Sequence, residues 1–505
     1  MKVFLINFVE KEVAKKLAQR GVDIVYWTGK EQHYGDARQE KKYSNTIFHS
    51  VFDALKAIPA KEIMNLKLDF PSKEVLKSMT GIEYQVLAMI SRADFTGMTH
   101  DKKVDLFYRY IIYWYGVLKH FKPEAIVFTD VPHLGFSYVV YVLAKELGIK
   151  TVMYRFMKGL PSRLFFFDDF SDMKSLKFAY GQALAGKIRY ENLSDEMKKY
   201  LQTQNEINNV SALTYAPHID KLIKQGTKIP KALVSFRAII NNIKQGIFFP
   251  TVIKYFFMLG HKRDILAVDE EKYNGLQIWW LYRKWNKIKK KYRREYESLQ
   301  VEVDYNKNYV YVPLHLQPEC NTNPLGGIYD DQILLVRTLA ASIPPDWLIY
   351  VKENPMQWLH YQGNFGRYSG YYDSLVEIPN VRLVRADTST FKLINNAQAV
   401  ATVSGSAGLE SLIRLKPVLL FGFGWYMDCD GVFRVEDVVS CRKALDIIKS
   451  GYKLNQDNLF AFLHAIDRVS IYGSFNKRYS QFSSVNGEEN STNITNKLLN
   501  ELNLS

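Results

Sequence analysis

Ala399-Val400-Ala401-Thr402-Val403-Ser404-Gly405-Ser406-Ala407-Gly408-Leu409-Glu410 is a stretch in which one kind of secondary structure hands over to another. The run from Ala399 to Val403 is short and apolar, as suits a strand buried on both faces of a parallel sheet. Small residues follow, and from near Ala407 to Arg414 the apolar positions take up helical spacing. A buried strand that turns through small residues into a helix is the unit of a doubly wound sheet, whose ligands bind beyond the carboxyl ends of the strands. Here the small residues let backbone approach a bound molecule, and the helix start points N–H groups at it, which suits a phosphate. Ser404 and Ser406 add hydroxyls, Gly405 and Gly408 leave space, and Glu410 lies one turn on, within reach of a ribose. The same residues would also make a plain tight turn, with serines present for geometry and capping.

The rhythm continues on both sides. Strands are expected at Tyr309–Leu314, Trp347–Val351, Val381–Val384 and Pro417–Phe421, with helices at Asp331–Ser342 and Ser389–Asn395. Near the start, Val3–Phe8 and Asp23–Trp27 read as strands flanking a helix from Glu10 to Arg20. Ala125–Thr129 and Lys150–Tyr154 flank another helix from Phe136 to Leu147. Between about Phe165 and Leu299 long polar and basic helical stretches replace this alternation. The expected fold is α/β: two Rossmann-like doubly wound domains facing a cleft, with a helical basic insertion between them. The boundaries read as 1–165, 166–300 for the insertion, 301–475, and a loosely ordered polar tail at 476–505 with room for a short terminal helix. A chain of 505 residues exceeds what one core sustains, in keeping with this division.

Three cysteines without short paired spacing exclude a disulfide framework and a zinc ribbon. The apolar start is too brief for a signal peptide, and no run of about 18 uncharged apolar residues would span a bilayer. A cytoplasmic protein is expected. The net charge of +15 is concentrated: between Ile219 and Glu295 there are 18 Lys or Arg against 6 Asp or Glu. Trp279, Trp280, Tyr282 and Trp285 are interleaved with these cations, a mixture that suits the headgroup layer of an anionic leaflet. Peripheral attachment to the inner face of the cytoplasmic membrane through residues 219–295 is therefore expected, against the alternative of a solvated helix whose aromatics are core. No nucleic-acid recognition module is visible.

Three more strand ends carry polar clusters. Tyr350-Val351-Lys352-Glu353-Asn354-Pro355 offers Lys352 to a phosphate and Asn354 to a phosphate oxygen or a base edge, or is a solvated loop. Pro313-Leu314-His315-Leu316-Gln317-Pro318-Glu319 offers His315 and Glu319 as proton carriers or sugar ligands. An isolated histidine in such a place also serves as a hydrogen-bonding structural residue. Thr129-Asp130-Val131-Pro132-His133 sets Asp130 and His133 across the cleft, where they act on an acceptor hydroxyl or the anomeric carbon, or merely form a turn.

From Tyr309 to about Val435 the order P-L-H-x-Q-P-E, V-K-E-N-P, P-N-V-R-L-V, V-S-G-S-A-G-L-E, K-P-V-L-L-F-G and Trp425-Tyr426 resembles bacterial capsule polysaccharide biosynthesis proteins, a group that includes Kdo transferases. The resemblance implies the GT-B fold, a nucleotide-sugar donor, a glycan or glycolipid acceptor, and no obligatory metal or other cofactor. Relatives using CMP-activated acid sugars carry His where this chain has Asn354, so the donor stays open between a CMP-acid sugar and a UDP-sugar. No D-x-D motif stands at a strand end; Asp168-Asp169 and Asp428-Cys429-Asp430 come nearest. A transferase without a metal must receive the leaving phosphate on helix N-termini and basic side chains. Lys352, Asn354, Ser404, Gly405, Ser406, Gly408 and Glu410 are thus the expected donor ligands, and Asp130, His133, His315 and Glu319 the catalytic pool. The competing functions are a sugar-nucleotide epimerase and a non-catalytic capsule assembly or export partner.

Overall fold

The computed structural model describes residues 1–156, 163–206, 243–244, 246, 257, 260–270, 272–360, 362–474 and 485–504. Six strands of the first half are β1 (Lys2–Ile6), β2 (Asp23–Gly29), β3 (Ile47–Ser50), β4 (Ala125–Thr129), β5 (Lys150–Phe156) and β6 (Arg163–Phe167). Strands β3, β2, β1, β4 and β5 lie side by side in that order, all parallel, with Val3 opposite Ala125 and Thr129 opposite Tyr154. Strand β6 adds antiparallel to β5, and Ile471–Tyr472 closes the edge. Alternation along β1 divides two cores. Phe4 and Ile6 pack with the helices Glu83–Ala93, His100–Phe121 and Gly135–Glu146, whereas Val3 and Leu5 pack with the helix Lys11–Gln19.

The second half repeats the plan with β7 (Gln300–Val301), β8 (Tyr309–Pro313), β9 (Leu348–Lys352), β10 (Val381–Val384), β11 (Ala399–Thr402), β12 (Val418–Leu420) and β13 (Val432–Arg434). Its order is β13-β12-β11-β8-β9-β10-β7, parallel throughout. Val310, Val312, Ile349 and Val351 pack on one face, and Tyr309, Tyr311, Tyr350 and Val400 on the other. Both halves are therefore Rossmann-like, as the strand–helix alternation requires.

The middle and the tail differ from the sequence expectation. Residues 163–206 do not stand apart as an insertion. Strand β6 joins the first sheet, and the helix Lys174–Ala185 packs on Gln456–Val469, with the Tyr180 and Phe462 rings 5.2 Å apart. The long helix Gly275–Leu299 seats on the second half through Tyr296, which is buried in that core and donates its hydroxyl to Val384 O. Residues 207–242, and with them much of the basic stretch, lie outside the described residues. The polar tail contains the helix Gly487–Glu501, capped by Asn486, whose Ile494, Leu498 and Leu499 are buried in the first half beside Leu17. Ser491 and Thr495 share the buried face with these apolar residues, so composition alone concealed the stripe. Among the described residues no helix is long and apolar enough to cross a membrane.

The halves touch through the helix Glu83–Ala93 and the segment after β6 on one side and loops of the second half on the other. Asn323 Nδ2 donates to Gln85 O at 3.0 Å, Gln362 Nε2 donates to Arg92 O at 2.9 Å, and the Phe170 and Phe423 rings stand 5.6 Å apart.

Candidate active site

Strand β11 ends at Thr402, and the helix Ser406–Ile413 starts after Gly405, whose backbone is extended. The turn between them is braced from below by His315. Its Nε2 accepts the Val403 N–H at 3.2 Å and lies 3.0 Å from Thr402 Oγ1, which accepts the Gly405 N–H at 3.3 Å. A Cβ on Gly405 would come within 2.4 Å of the His315 ring, and one on Gly408 within 2.2 Å of the Tyr426 hydroxyl. That hydroxyl donates to Gly405 O. The glycines therefore exist to let two rings close against the turn. The His315 imidazole is thus engaged with the turn itself.

Lys352 and Glu410 lie under the turn rather than at its mouth. Lys352 is 8% exposed and donates from Nζ to Thr388 O at 2.8 Å and Thr390 Oγ1 at 2.6 Å. Burial lowers its pKa to about 8, and the Glu410 carboxylate works against that shift. Glu410 is itself 6% exposed. An ammonium bound to these two protein oxygens supports the floor of the turn. Asn354 caps its own loop, with Oδ1 accepting the Met356 N–H at 3.0 Å. Its neighbour Glu353 is fully buried against Arg367, at 2.7 Å, and Tyr372.

Ser404, Glu319, Asp130 and His133 are brought together, through two residues the sequence did not single out. Ser404 Oγ donates to Asn321 O, Asn321 Nδ2 donates to Glu319 Oε2 at 3.2 Å, and Arg155 Nη2 donates to Asn321 Oδ1 at 2.8 Å. Arg155 Nε also stands 3.5 Å from Asp130 Oδ1. Asp130 takes a left-handed backbone at φ 83°, with its N–H on Tyr154 O and its carboxylate accepting the Val131 N–H. His133 Nδ1 lies 2.7 Å from Val131 O. A carbonyl only accepts, so Nδ1 carries the proton and Nε2 the lone pair. Burial and the Arg92 guanidinium push the His133 pKa below its ordinary value, and Arg92 also donates to His133 O. Ser406 opens the helix and is half-buried.

Arg155 had a legible signal, a charge inside the otherwise apolar run Thr151–Phe156; Asn321 had none. Glu10, read only as a helix start, is a third residue missed. At the end of the first strand–loop it accepts from Tyr154 Oη at 2.8 Å and Thr129 Oγ1 at 3.3 Å, while its Oε1 is buried without a partner among the described residues. Burial pushes its pKa up to about 8.

Among the described residues no three His, Cys, Asp or Glu side chains gather as a metal site requires. Asp169 is held by Lys145 and Ser171, and Asp430 by Tyr452 and Asn458.

Solved structures similar to this chain include the UDP-GlcNAc 2-epimerase of Methanocaldococcus jannaschii, 14% identical over 93% of this chain and 99% of that one, with a TM-score of 0.25. The β-Kdo 2,7 transferase KpsC of Thermosulfurimonas dismutans is 10% identical over 80% and 91%, with a TM-score of 0.29. Scores so low bear on neither the fold nor the activity of this chain. No curated protein matches it. Residues 268–445 match the family model described as capsule polysaccharide biosynthesis protein. That span holds the helix Gly275–Leu299, all of β7 to β13, and the turn at Ser404 with its braces. The match takes in most of the second half and leaves the first half outside it.

Proposed function

We propose that the chain is a glycosyltransferase that moves a sugar from a nucleotide-activated donor onto a surface polysaccharide or lipid-linked glycan. The observation that carries this reading is the chain of contacts Ser404–Asn321–Arg155–Asp130, which joins a helix start in one half to a cation and a carboxylate in the other. A departing phosphate needs positive potential aimed at it, and the start of the helix Ser406–Ile413 together with Arg155 supplies that. His133, neutral and with Nε2 free of its proton, accepts the proton of the acceptor hydroxyl as the new glycosidic bond forms and the donor's bond to phosphate breaks. Asp130 holds Arg155, and His315 holds the turn. The protein works from the cytoplasmic side of the membrane, where lipid-linked acceptors are presented, and takes CMP-acid sugars or UDP-sugars.

Incubation with CMP- and UDP-sugars tests this. Release of free nucleotide together with a sugar-extended acceptor, or with free sugar when no acceptor is added, is expected. Conversion of the donor into an epimer would assign a sugar-nucleotide epimerase instead, and a donor left intact by the whole panel would point to an assembly or export role.

A further inference from the structure

The helix Gly275–Leu299 has two opposed faces. Ile278, Trp285, Lys289 and Tyr296 are buried, the first two in a cluster with Phe95 of the first half and the last two against the second half. On the opposite side, Leu276, Trp280, Arg283, Lys287, Lys290 and Arg294 recur at alternating intervals of four and three, within about 80° of arc on a helix of 3.6 residues per turn. All six are exposed. Leu276 is 54% and Trp280 60% exposed, side by side one turn apart on the same face. Neighbouring Lys291 and Arg293 are each paired four residues on, with Glu295 and Glu297, but none of the four cations in the stripe forms an ion pair with a described residue. At the amino-terminal end the stripe opens into a shallow depression of about 430 Å³ whose lining, including Tyr273, Trp279 and Leu281, is almost wholly apolar.

We propose that this stripe is a docking surface for an anionic phospholipid bilayer, with the helix lying in the plane of the membrane. The cations Arg283, Lys287, Lys290 and Arg294 meet lipid phosphates while Leu276 and Trp280 enter the layer beneath. Charge alone would suit any polyanion. The two apolar side chains at one end decide between them, because a dissolved polyanion offers nothing to bury Leu276 and Trp280, whereas a bilayer takes both. Each cation brought to an anionic surface strengthens partition about fivefold. That the bilayer is the one carrying the glycan acceptor rests on the glycosyltransfer reading; the lipid binding itself does not.

The test is cosedimentation of the full chain with phosphatidylcholine vesicles, with and without phosphatidylglycerol, at low and high salt. Binding only to the phosphatidylglycerol vesicles, weakened by salt, is expected. The combined variant Arg283→Glu, Lys287→Glu, Lys290→Glu should weaken it by about 100-fold or more. Trp280→Ser should weaken it several-fold, and Lys443→Glu, an exposed change elsewhere, should leave it intact. These side chains touch no core, and unchanged circular dichroism confirms that the variants fold. Absence of vesicle binding in the parent chain overturns the proposal. So does binding in which Trp280→Ser has no effect and dissolved heparin competes fully, which would make the stripe a polyanion site. Because no donor is present, failure here leaves the transferase reading standing, and loss of transferase activity leaves this one.

Discussion

Arg155, in the last parallel strand of the first sheet, donates from Nη2 to Asn321 Oδ1 of the second half at 2.8 Å. The same guanidinium lies 3.5 Å from Asp130 through Nε, so one side chain joins both halves of the cleft. A hydrogen bond to a charged group is worth about 1.5–3 kcal/mol. Arg155→Ala is expected to lower donor affinity by about 10- to 100-fold, measured by calorimetry, with Arg155→Lys recovering part of the loss because the ammonium cannot hold both partners at once.

With His133 as the base of the proposed transfer, its pKa sets the acid side of the rate profile. An unshifted imidazole is half protonated near pH 6.5. The pKa of His133 lies lower, from burial and from Arg92, so the base form persists below that pH. Activity should therefore hold steady as the pH falls through about 6.5 and decline only at more acid values. His133→Gln should lower the rate about 10²- to 10⁴-fold and abolish that decline, while leaving donor affinity nearly unchanged.

Glu10 makes a separate prediction about stability. Its carboxyl, ordinarily near 4.5, is pushed up to about 8 by burial. An acid whose pKa is raised on folding favours the protonated fold, so its contribution is full below about 4.5 and is lost as the pH climbs towards 8. Melting temperatures measured from about pH 5 to about pH 9 should fall across this window. In Glu10→Gln, which cannot ionise, the slope over the same range should flatten.

Gly408 faces the Tyr426 hydroxyl so closely that Gly408→Ala would place its methyl 2.2 Å away. Overpacking of this kind costs about 1–3 kcal/mol. The melting temperature should drop, and Tyr426→Phe in the same chain should not restore it, because the ring itself already fills that space, with its nearest carbon 2.5 Å from the added Cβ.

Much of the architecture was legible in the sequence. Strand β4 runs from Ala125 to Thr129 as the apolar run indicates, and the strand–turn–helix at 399–413 is where the opening stretch puts it. What could not be read was the long-range return of the chain. The helix Gln456–Val469 and the tail helix pack on the first half, hundreds of residues from their partners, and local periodicity carries no information about which surface a stripe will meet. The site shows the same limit. The Ser404 turn was visible because its chemistry is local, whereas Lys352 looked like an open cation until the fold set Thr388 and Thr390 around its ammonium. Arg155 and Asn321 matter only because two separate loops converge.

The most direct measurement is nucleotide binding by calorimetry to the parent chain and to Ser406→Trp, a bulky change at the start of the helix proposed to receive the phosphate. The account predicts that CMP or UDP binds the parent and that the substitution removes measurable binding while the melting temperature stays within a few degrees. Unchanged affinity in Ser406→Trp would place the nucleotide elsewhere and contradict it.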